Sequence, residues 1–186
     1  EALEQAAGQA RRAADVVARL RRRVEQPGAA PELQRVDLRA AAQQALALLQ
    51  PELQAAGVQA ALQGPACDVR ADPVALAQIL HNLLRNAIQA LAGQPAGRRS
   101  LALGVGVDGG HGVLTVRDDG PGLAPEVLAR LFQPFTTTRP DGLGLGLSLS
   151  ETLAVTMGGR LTAQNVPPTA AGTGAEFRLA LPLDPA

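Results

Sequence analysis

Glycine takes every second place in the run Asp141-Gly-Leu-Gly-Leu-Gly-Leu-Ser148, and a helical pattern follows from Leu145 to about Met157 before Gly158-Gly159 closes it. Glycine costs about 1 kcal/mol inside a helix. Three at alternate places therefore mark a loop whose main chain must come close to something. A loop of this kind, leading straight into a helix, offers amide N–H groups together with the positive end of the helix dipole. It reads as a phosphate cradle made of Gly142, Leu143, Gly144, Leu145 and Gly146. The spacing is not the dinucleotide fingerprint, which needs G-x-G-x-x-G in a parallel βαβ unit. All seventeen basic residues are arginine, so the P-loop lysine and Schiff-base chemistry are excluded. Just upstream, Thr136-Thr137-Thr138-Arg139 lies on a loop that could close over phosphates with Arg139 as a charge clamp.

Two further segments carry chemistry. Asp72-Pro73 supplies a cap and an N1 proline for a helix running to about Leu91, with Gly93 ending it. Leu80, Leu84, Ala87, Ile88 and Leu91 form its apolar stripe, while Asn82, Asn86 and Gln89 fall in one opposite sector. Asparagine is a poor mid-helix residue, and two of them at i and i+4 suggest neutral oxygen ligands for a hard cation such as Mg²⁺. The alternative is a solvated polar face. In Thr115-Val-Arg-Asp-Asp-Gly-Pro-Gly122 a strand runs into Asp118, and Gly120 and Gly122 turn the chain. A carboxylate buried there needs donors, and the amino edge of adenine supplies one. The Asp-x-Gly-x-Gly spacing is only moderately specific, because hairpins and calcium loops also use it.

The rest of the chain sets the frame. Leu3, Ala6, Ala10, Ala13, Val17, Leu20 and Val24 follow a heptad seam, expected to be one helix of a bundle whose partners lie elsewhere; a helix lying on its own domain is the alternative. The expected divisions are a helix over 1–26, a linker over 27–36 marked by Pro27, Gly28 and Pro31, and a third segment over 37–186. In that segment Asp37 caps a helix to Gln50, which Pro51 kinks or ends before Gly57. Short strands are expected over 58–62, 101–107, 113–117, 161–165 and 175–181, with a hairpin at Gly109-Gly110 and a short helix from Pro125 to about Leu131. Paired strands separated by helices give a mixed sheet with helices on one face. Seventeen acidic residues balance the arginines, so no charge excess points to nucleic acid or an anionic membrane. One cysteine, Cys67, and two histidines, His81 and His111, exclude a disulfide framework and a Cys/His metal cluster. No apolar run reaches the roughly 18 residues of a membrane span, no signal peptide is evident, and a cytoplasmic setting is expected.

Taken together and in order, these segments resemble the boxes of bacterial sensor histidine kinases. The run 78–91 resembles their N box, 116–122 the G1 box, 131–139 the F box and ATP lid, 142–148 the G2 box, and Gly174-Ala-Glu-Phe177 the last glycine motif. The resemblance covers about residues 36 to 183 and is nearest to the nitrogen-regulation and dicarboxylate-sensor branch of the GHKL superfamily. It implies the Bergerat ATP-binding fold, an α/β sandwich with a mixed, mostly antiparallel sheet and helices on one face, preceded by an N-terminal helix. It implies ATP and Mg²⁺ as cofactors, with Asn86 on the metal and Asn82 supporting the same site as a second candidate ligand. By the same resemblance Asp118 receives the adenine amino group, and Gly120 and Gly122 shape its pocket. Thr137, Thr138 and Arg139 belong to the lid, and Gly142, Gly144 and Gly146, with Leu143 and Leu145 between them, cradle the phosphates. No residue is assigned a catalytic step beyond positioning by Asn82, Asn86 and Arg139. The sequence departs from the family at Gln133, Thr136 and Ala175, where acidic, aromatic and hydroxyl side chains are common.

The implied reaction is transfer of the γ-phosphoryl group of ATP to a histidine on a dimerisation hairpin. His81 lies inside the N box and His111 in a hairpin turn, so neither is expected to be that acceptor. Residues 1–25 look like the second helix of the hairpin, with the acceptor-bearing helix absent. The implied partners are the acceptor-histidine hairpin of the same protein, in a homodimer, and the receiver domain of a response regulator. Nucleic acid and membrane contact are not expected of this stretch, which would be cytoplasmic even as part of a membrane sensor. The alternatives are an ATP-hydrolysing clamp of the same superfamily, a serine-kinase anti-sigma factor, or a degenerate interaction module. The clamps carry a glutamate four residues before the metal asparagine, where this chain has Asn82.

Overall fold

Proline and glycine punctuation divides the chain into short elements. The computed structural model describes residues 31–95, 97–137, 143–167 and 173–185; the helix expected over residues 1–26 lies outside them. In chain order the elements are β1 (Gln34–Asp37), α1 (Leu38–Leu48), α2 (Gln50–Ala55), β2 (Gln59–Gln63), β3 (Asp68–Ala71), α3 (Pro73–Leu91), β4 (Ser100–Asp108), β5 (His111–Asp118), α4 (Pro125–Leu128), α5 (Gly146–Thr156), β6 (Arg160–Asn165) and β7 (Ala175–Pro182).

A five-stranded sheet runs in the order β2-β4-β5-β7-β6, with β2 and β4 parallel and every other pair antiparallel. This is the mixed, mostly antiparallel sheet that the sequence suggests. The alternation along β4 buries Leu101, Leu103 and Val105 and leaves Ala102 exposed on the other face. Leu114 and Val116 of β5 and Phe177, Leu179 and Leu181 of β7 continue the buried face. Against it lies α3, whose Leu76, Ile79, Leu80, Leu83, Leu84 and Leu91 are wholly buried. Each such side chain contributes about 1.5–3 kcal/mol when removed from water, which fixes the rotation of α3 and hence which of its residues flank the core.

Local signals explain most boundaries. Asp72 caps α3 by accepting from the amides of Val74 at 2.9 Å and Ala75 at 3.1 Å. Gly109 and Gly110 have φ values of +55° and +78°, the pair of left-handed residues that a two-residue hairpin between twisted strands needs. Pro51 sits in the first turn of α2, so it starts a second helix directly after the first. The sequence pattern marks no strands at β1 and β3. They form a separate antiparallel ribbon, Gln34 opposite Ala71 through Asp37 opposite Asp68, and Gln34–Val36 thus fall within the segment expected to be linker.

The sheet register has one consequence for function. Leu101, Asp118, Ala175 and Asn165 face one another in a single row across β4, β5, β7 and β6. Directly opposed residues project to the same side of a sheet, so Asp118 and Asn165 share the face that carries the core, at the end where β5 and β6 finish.

Candidate functional site

Helix α3 carries Asn82, Asn86 and Ala90 at intervals of four residues, one line of about 12 Å along its flank. All three are half-buried, between the leucine stripe and the exposed residues Arg85 and Gln89. The two ends of this line touch different parts of the molecule. At one end Asn82 lies so close to Gly146 that a Cβ there would come within 2.6 Å of its Oδ1. Its Nδ2 donates to the Ser150 hydroxyl at 2.9 Å, and Ser150 is only 1% exposed. At the other end Ala90 approaches Gly120, where a Cβ would stand 3.4 Å from the Ala90 Cβ and 2.6 Å from Asp118 Oδ1. Asn86 lies midway. The spacing thus joins the first glycine of α5 to the aspartate at the end of β5.

At the Asp118 end the carboxylate is 3% exposed. Its Oδ1 accepts from the amides of Gly120 at 2.9 Å and Ala175 at 3.4 Å. Burial pushes the carboxyl pKa above its usual range, the two amides pull it back, and neighbouring Asp119 adds a small upward push. The amide that reaches Asp118 from β7 is main chain, so Ala175 serves there without the hydroxyl common in the resembled family. Gly174 has φ +55°, and a Cβ on it would fall 2.1 Å from the Asp118 carbonyl oxygen; no other residue fits. Its N–H donates to the Gly120 carbonyl at 3.0 Å. Beyond it, the Asn165 carboxamide holds Leu123 through both the N–H and the C=O, each at 2.7 Å.

The Gly146 end is made of main chain. The first bond of α5 runs from Leu149 N–H to Leu145 C=O at 3.1 Å, so the preceding amides of Gly146, Leu147 and Ser148 lie ahead of the helical ladder. No side chain caps this helix start, which leaves its positive dipole end to face an anion. Gly144, at φ +64°, accepts from the Phe135 N–H at 3.0 Å, and a Cβ on it would press within 2.6 Å of the Thr136 nitrogen. Phe135 itself is left-handed at φ +65° and 75% exposed. The Phe135–Thr136 limb and Gly144 therefore meet at the foot of the loop read as a lid, with exposed Thr137 and Leu143 at its two described edges.

Of the residues singled out in the sequence, the structure brings Asn82, Asn86, Asp118, Gly120 and Gly146 to the two ends and middle of one helix flank, with Leu145 directly before Gly146, Gly144 against Phe135–Thr136, and Gly122 on the turn after Gly120. Thr138, Arg139 and Gly142 lie outside the described residues. Among the described residues no three His, Cys, Asp or Glu side chains cluster to hold a metal. A cation here would have neutral carboxamide oxygens from α3 and must draw its remaining ligands from water and a bound anion. His81 is on α3 beside α1, and the His111 Nδ1 lies 3.0 Å from the Gly109 carbonyl in its turn. Sequence reasoning missed Ser150 and Asn165. A serine at a buried helical position was a signal for the first. Nothing local marked the second, whose partner is 42 residues away.

Comparison with known proteins places the chain in a family. The family described as "Histidine kinase-, DNA gyrase B-, and HSP90-like ATPase" matches residues 71–185. The chain is 32% identical over 185 residues to the C4-dicarboxylate transport sensor protein DctS of Rhodobacter capsulatus, covering 98% of this chain and 27% of that protein. Among solved structures, full-length ShkA in complex with AMPPNP superposes with a TM-score of 0.69 at 32% identity, over 83% of this chain and 32% of that one. The Acinetobacter baumannii histidine kinase AdeS gives a TM-score of 0.73 at 25% identity, over 98% of this chain and 84% of that one. The chain spans about a quarter of the length of the curated dicarboxylate sensors that it matches.

Proposed function

We propose that this chain, which belongs to the histidine kinase-, DNA gyrase B- and HSP90-like ATPase family and is the ATP-binding catalytic domain of a two-component sensor histidine kinase, holds ATP·Mg²⁺ along the Asn82–Asn86–Ala90 flank of α3 and passes the γ-phosphoryl group to a histidine on a dimerisation hairpin. The observation that carries this reading is the way one helix flank joins two complementary ends. Asp118 offers a fixed acceptor to the amino group of adenine, and the start of α5 offers main-chain amides to the phosphates. Asn86, between them, is the metal ligand, with Asn82 supporting the same site. Bound magnesium supplies charge neutralisation on the phosphate oxygens.

The protein's own share of the chemistry is positioning. In the transfer, a bond forms between an imidazole nitrogen and the γ-phosphorus while the bridging oxygen leaves with its electron pair on the β-phosphate. Asp118 fixes the base, and Gly144 to Ser148 present N–H groups to the phosphates. The lid residues Thr137, Thr138, Arg139, Gly142 and Leu143 close over them, Arg139 as a charge clamp. Ser150 fixes Asn82 beside Gly146. A carboxamide at Asn82 cannot take a proton from water, which disfavours the ATP-hydrolysing clamp. The acceptor is on a separate hairpin, because His81 stands in α3 and His111 at the start of β5, where it pairs with Asp108 and Pro182, rather than in the turn expected from the sequence. The partners are this hairpin, in a homodimer, and a receiver domain. No described helix is long and apolar enough to cross a membrane, and the domain works on the cytoplasmic side.

The test is to mix the chain with a purified acceptor hairpin and γ-labelled ATP, with and without Mg²⁺. Label on the hairpin histidine, dependent on Mg²⁺ and on Asn86, is the expected result. Release of inorganic phosphate at the same rate without the hairpin would contradict transfer.

A further inference from the structure

We propose that Asn165 is a positioning residue for base recognition: its carboxamide locks the Gly120–Leu123 turn so that Asp118 stays open to the purine edge. This rests on the reading of the pocket as an ATP site and adds a residue to it. The Asn165 Nδ2 donates to the Leu123 carbonyl and its Oδ1 accepts from the Leu123 N–H, both at 2.7 Å. These are short bonds for N–H···O. One flat side chain thus pairs with the N–H and the C=O of one residue as a neighbouring strand would, which needs a donor and an acceptor at fixed separation.

Position explains why this side chain matters to the pocket. Asn165 ends β6, in the same cross-sheet row as Asp118 and Ala175. Its main chain already belongs to the β6–β7 ladder, so the strand does not need the carboxamide. The turn after Asp118 does. Among the described residues the turn has no ladder partner, and its other ties are the Gly120 N–H to Asp118 Oδ1 at 2.9 Å, the Asp119 N–H to the Ser100 carbonyl at 3.2 Å and the Gly174 N–H to the Gly120 carbonyl at 3.0 Å. Gly122, at φ +75°, lies so close that a Cβ would stand 3.1 Å from Asn165 Oδ1. The next residue, Val166, donates to the Gly174 carbonyl at 3.2 Å, which continues the ring of bonds round to the strand end that contacts Asp118. Without the carboxamide, Leu123 loses these partners of its N–H and its C=O, and the wall carrying Gly120 and Gly122 is free to move against Asp118.

The experiment titrates wild type, Asn165→Ala and Asn165→Asp with ATP·Mg²⁺, with GTP·Mg²⁺ and with inorganic triphosphate plus Mg²⁺. Asn165→Ser is the milder variant if alanine fails to fold. Loss of two neutral hydrogen bonds is expected to weaken ATP binding about tenfold, to narrow the preference for ATP over GTP, and to leave inorganic triphosphate unchanged. Asn165→Asp keeps the volume but turns oxygen toward the Leu123 carbonyl, so it should behave as alanine does. Wild-type ATP affinity and selectivity in both variants would overturn the proposal, as would equal losses for ATP and inorganic triphosphate, since a merely structural role moves both. A wild-type chain that binds no ATP would overturn the pocket reading itself, which separates the two failures.

Discussion

The two ends of the α3 flank solve different problems with different materials. Around Asp118 the parts are prebuilt: a buried carboxylate, two main-chain amides on it, a glycine that tolerates no Cβ and a carboxamide clamp on the turn. Around Gly146 the wall is nearly all main chain, with the Asn82 to Ser150 bond behind it and the Ser148 hydroxyl donating to the Leu145 carbonyl at 3.1 Å. A flat base with a fixed hydrogen-bonding edge rewards a rigid counterpart. A flexible, highly charged triphosphate is served by N–H groups and a helix dipole, which need no side chain to be set in advance. The rigid end also carries a cost, a desolvated carboxylate with no cation beside it among the described residues.

The sharpest way to break this contrast is a pair of glycine substitutions. Gly174→Ala forces a side chain into a left-handed position against the Asp118 carbonyl. It should lower unfolding free energy by about 3 kcal/mol or more in a denaturant titration and abolish ATP binding. Gly146→Ala meets the Asn82 carboxamide, a side-chain end that can shift at the cost of its bond to Ser150, so stability should stay within about 1 kcal/mol of wild type while affinity for ATP·Mg²⁺ falls. Equal losses of stability in the two variants would erase the distinction between the ends.

Asp118→Asn sharpens it next. Removing the charged acceptor should weaken ATP binding by about 1.5–3 kcal/mol, or roughly 10- to 100-fold, in a fluorescent-nucleotide titration. The same change should raise the melting temperature of the nucleotide-free chain at neutral pH. The folded pKa of Asp118 lies above its unfolded value, so its burial is tolerated best when protonated, below the unfolded pKa. The resulting stability is lost as pH rises through the folded pKa. The gain from asparagine should therefore shrink as pH falls through that window. Unchanged melting at neutral pH would mean that the buried charge costs nothing.

A smaller effect follows for binding: wild-type affinity for adenosine should fall as the pH drops through the raised Asp118 pKa, and Asp118→Asn should show no such slope. Identical pH profiles would remove Asp118 from the base contact. The smallest change is expected at the other end. Ser150→Ala takes the partner from Asn82 Nδ2 and should cost about 1 kcal/mol of stability with a few-fold loss of ATP affinity. A larger loss there than at Asp118 would reverse the comparison.

What the sequence made legible follows the same division. Helix α3, helix α5 and the β4–β5 hairpin were readable because their signals are local: Asp72-Pro73, Gly158-Gly159 and Gly109-Gly110 each fix a boundary within a few residues. Gly142–Gly146, Asn82, Asn86 and Asp118 stand out in the sequence for the same reason, as residue types unusual for their place. The ribbon of β1 and β3 was not, because four-residue strands carry too little alternation and their pairing joins segments more than thirty residues apart. Asn165 was hidden for a related reason, since an asparagine at a strand end is unremarkable until the fold places Leu123 beside it.

The claim that one helix flank joins a base-reading end to a phosphate-reading end is tested most directly by backbone amide shifts of the labelled chain, titrated separately with adenosine, inorganic triphosphate plus Mg²⁺, and ATP·Mg²⁺. Adenosine should move Ala90, Gly120 and Ala175, triphosphate should move Asn82 and Gly144 to Ser148, and ATP·Mg²⁺ should move both sets together with Asn86. Perturbation of the same residues by adenosine and triphosphate, or shifts from ATP that bypass α3, would contradict it.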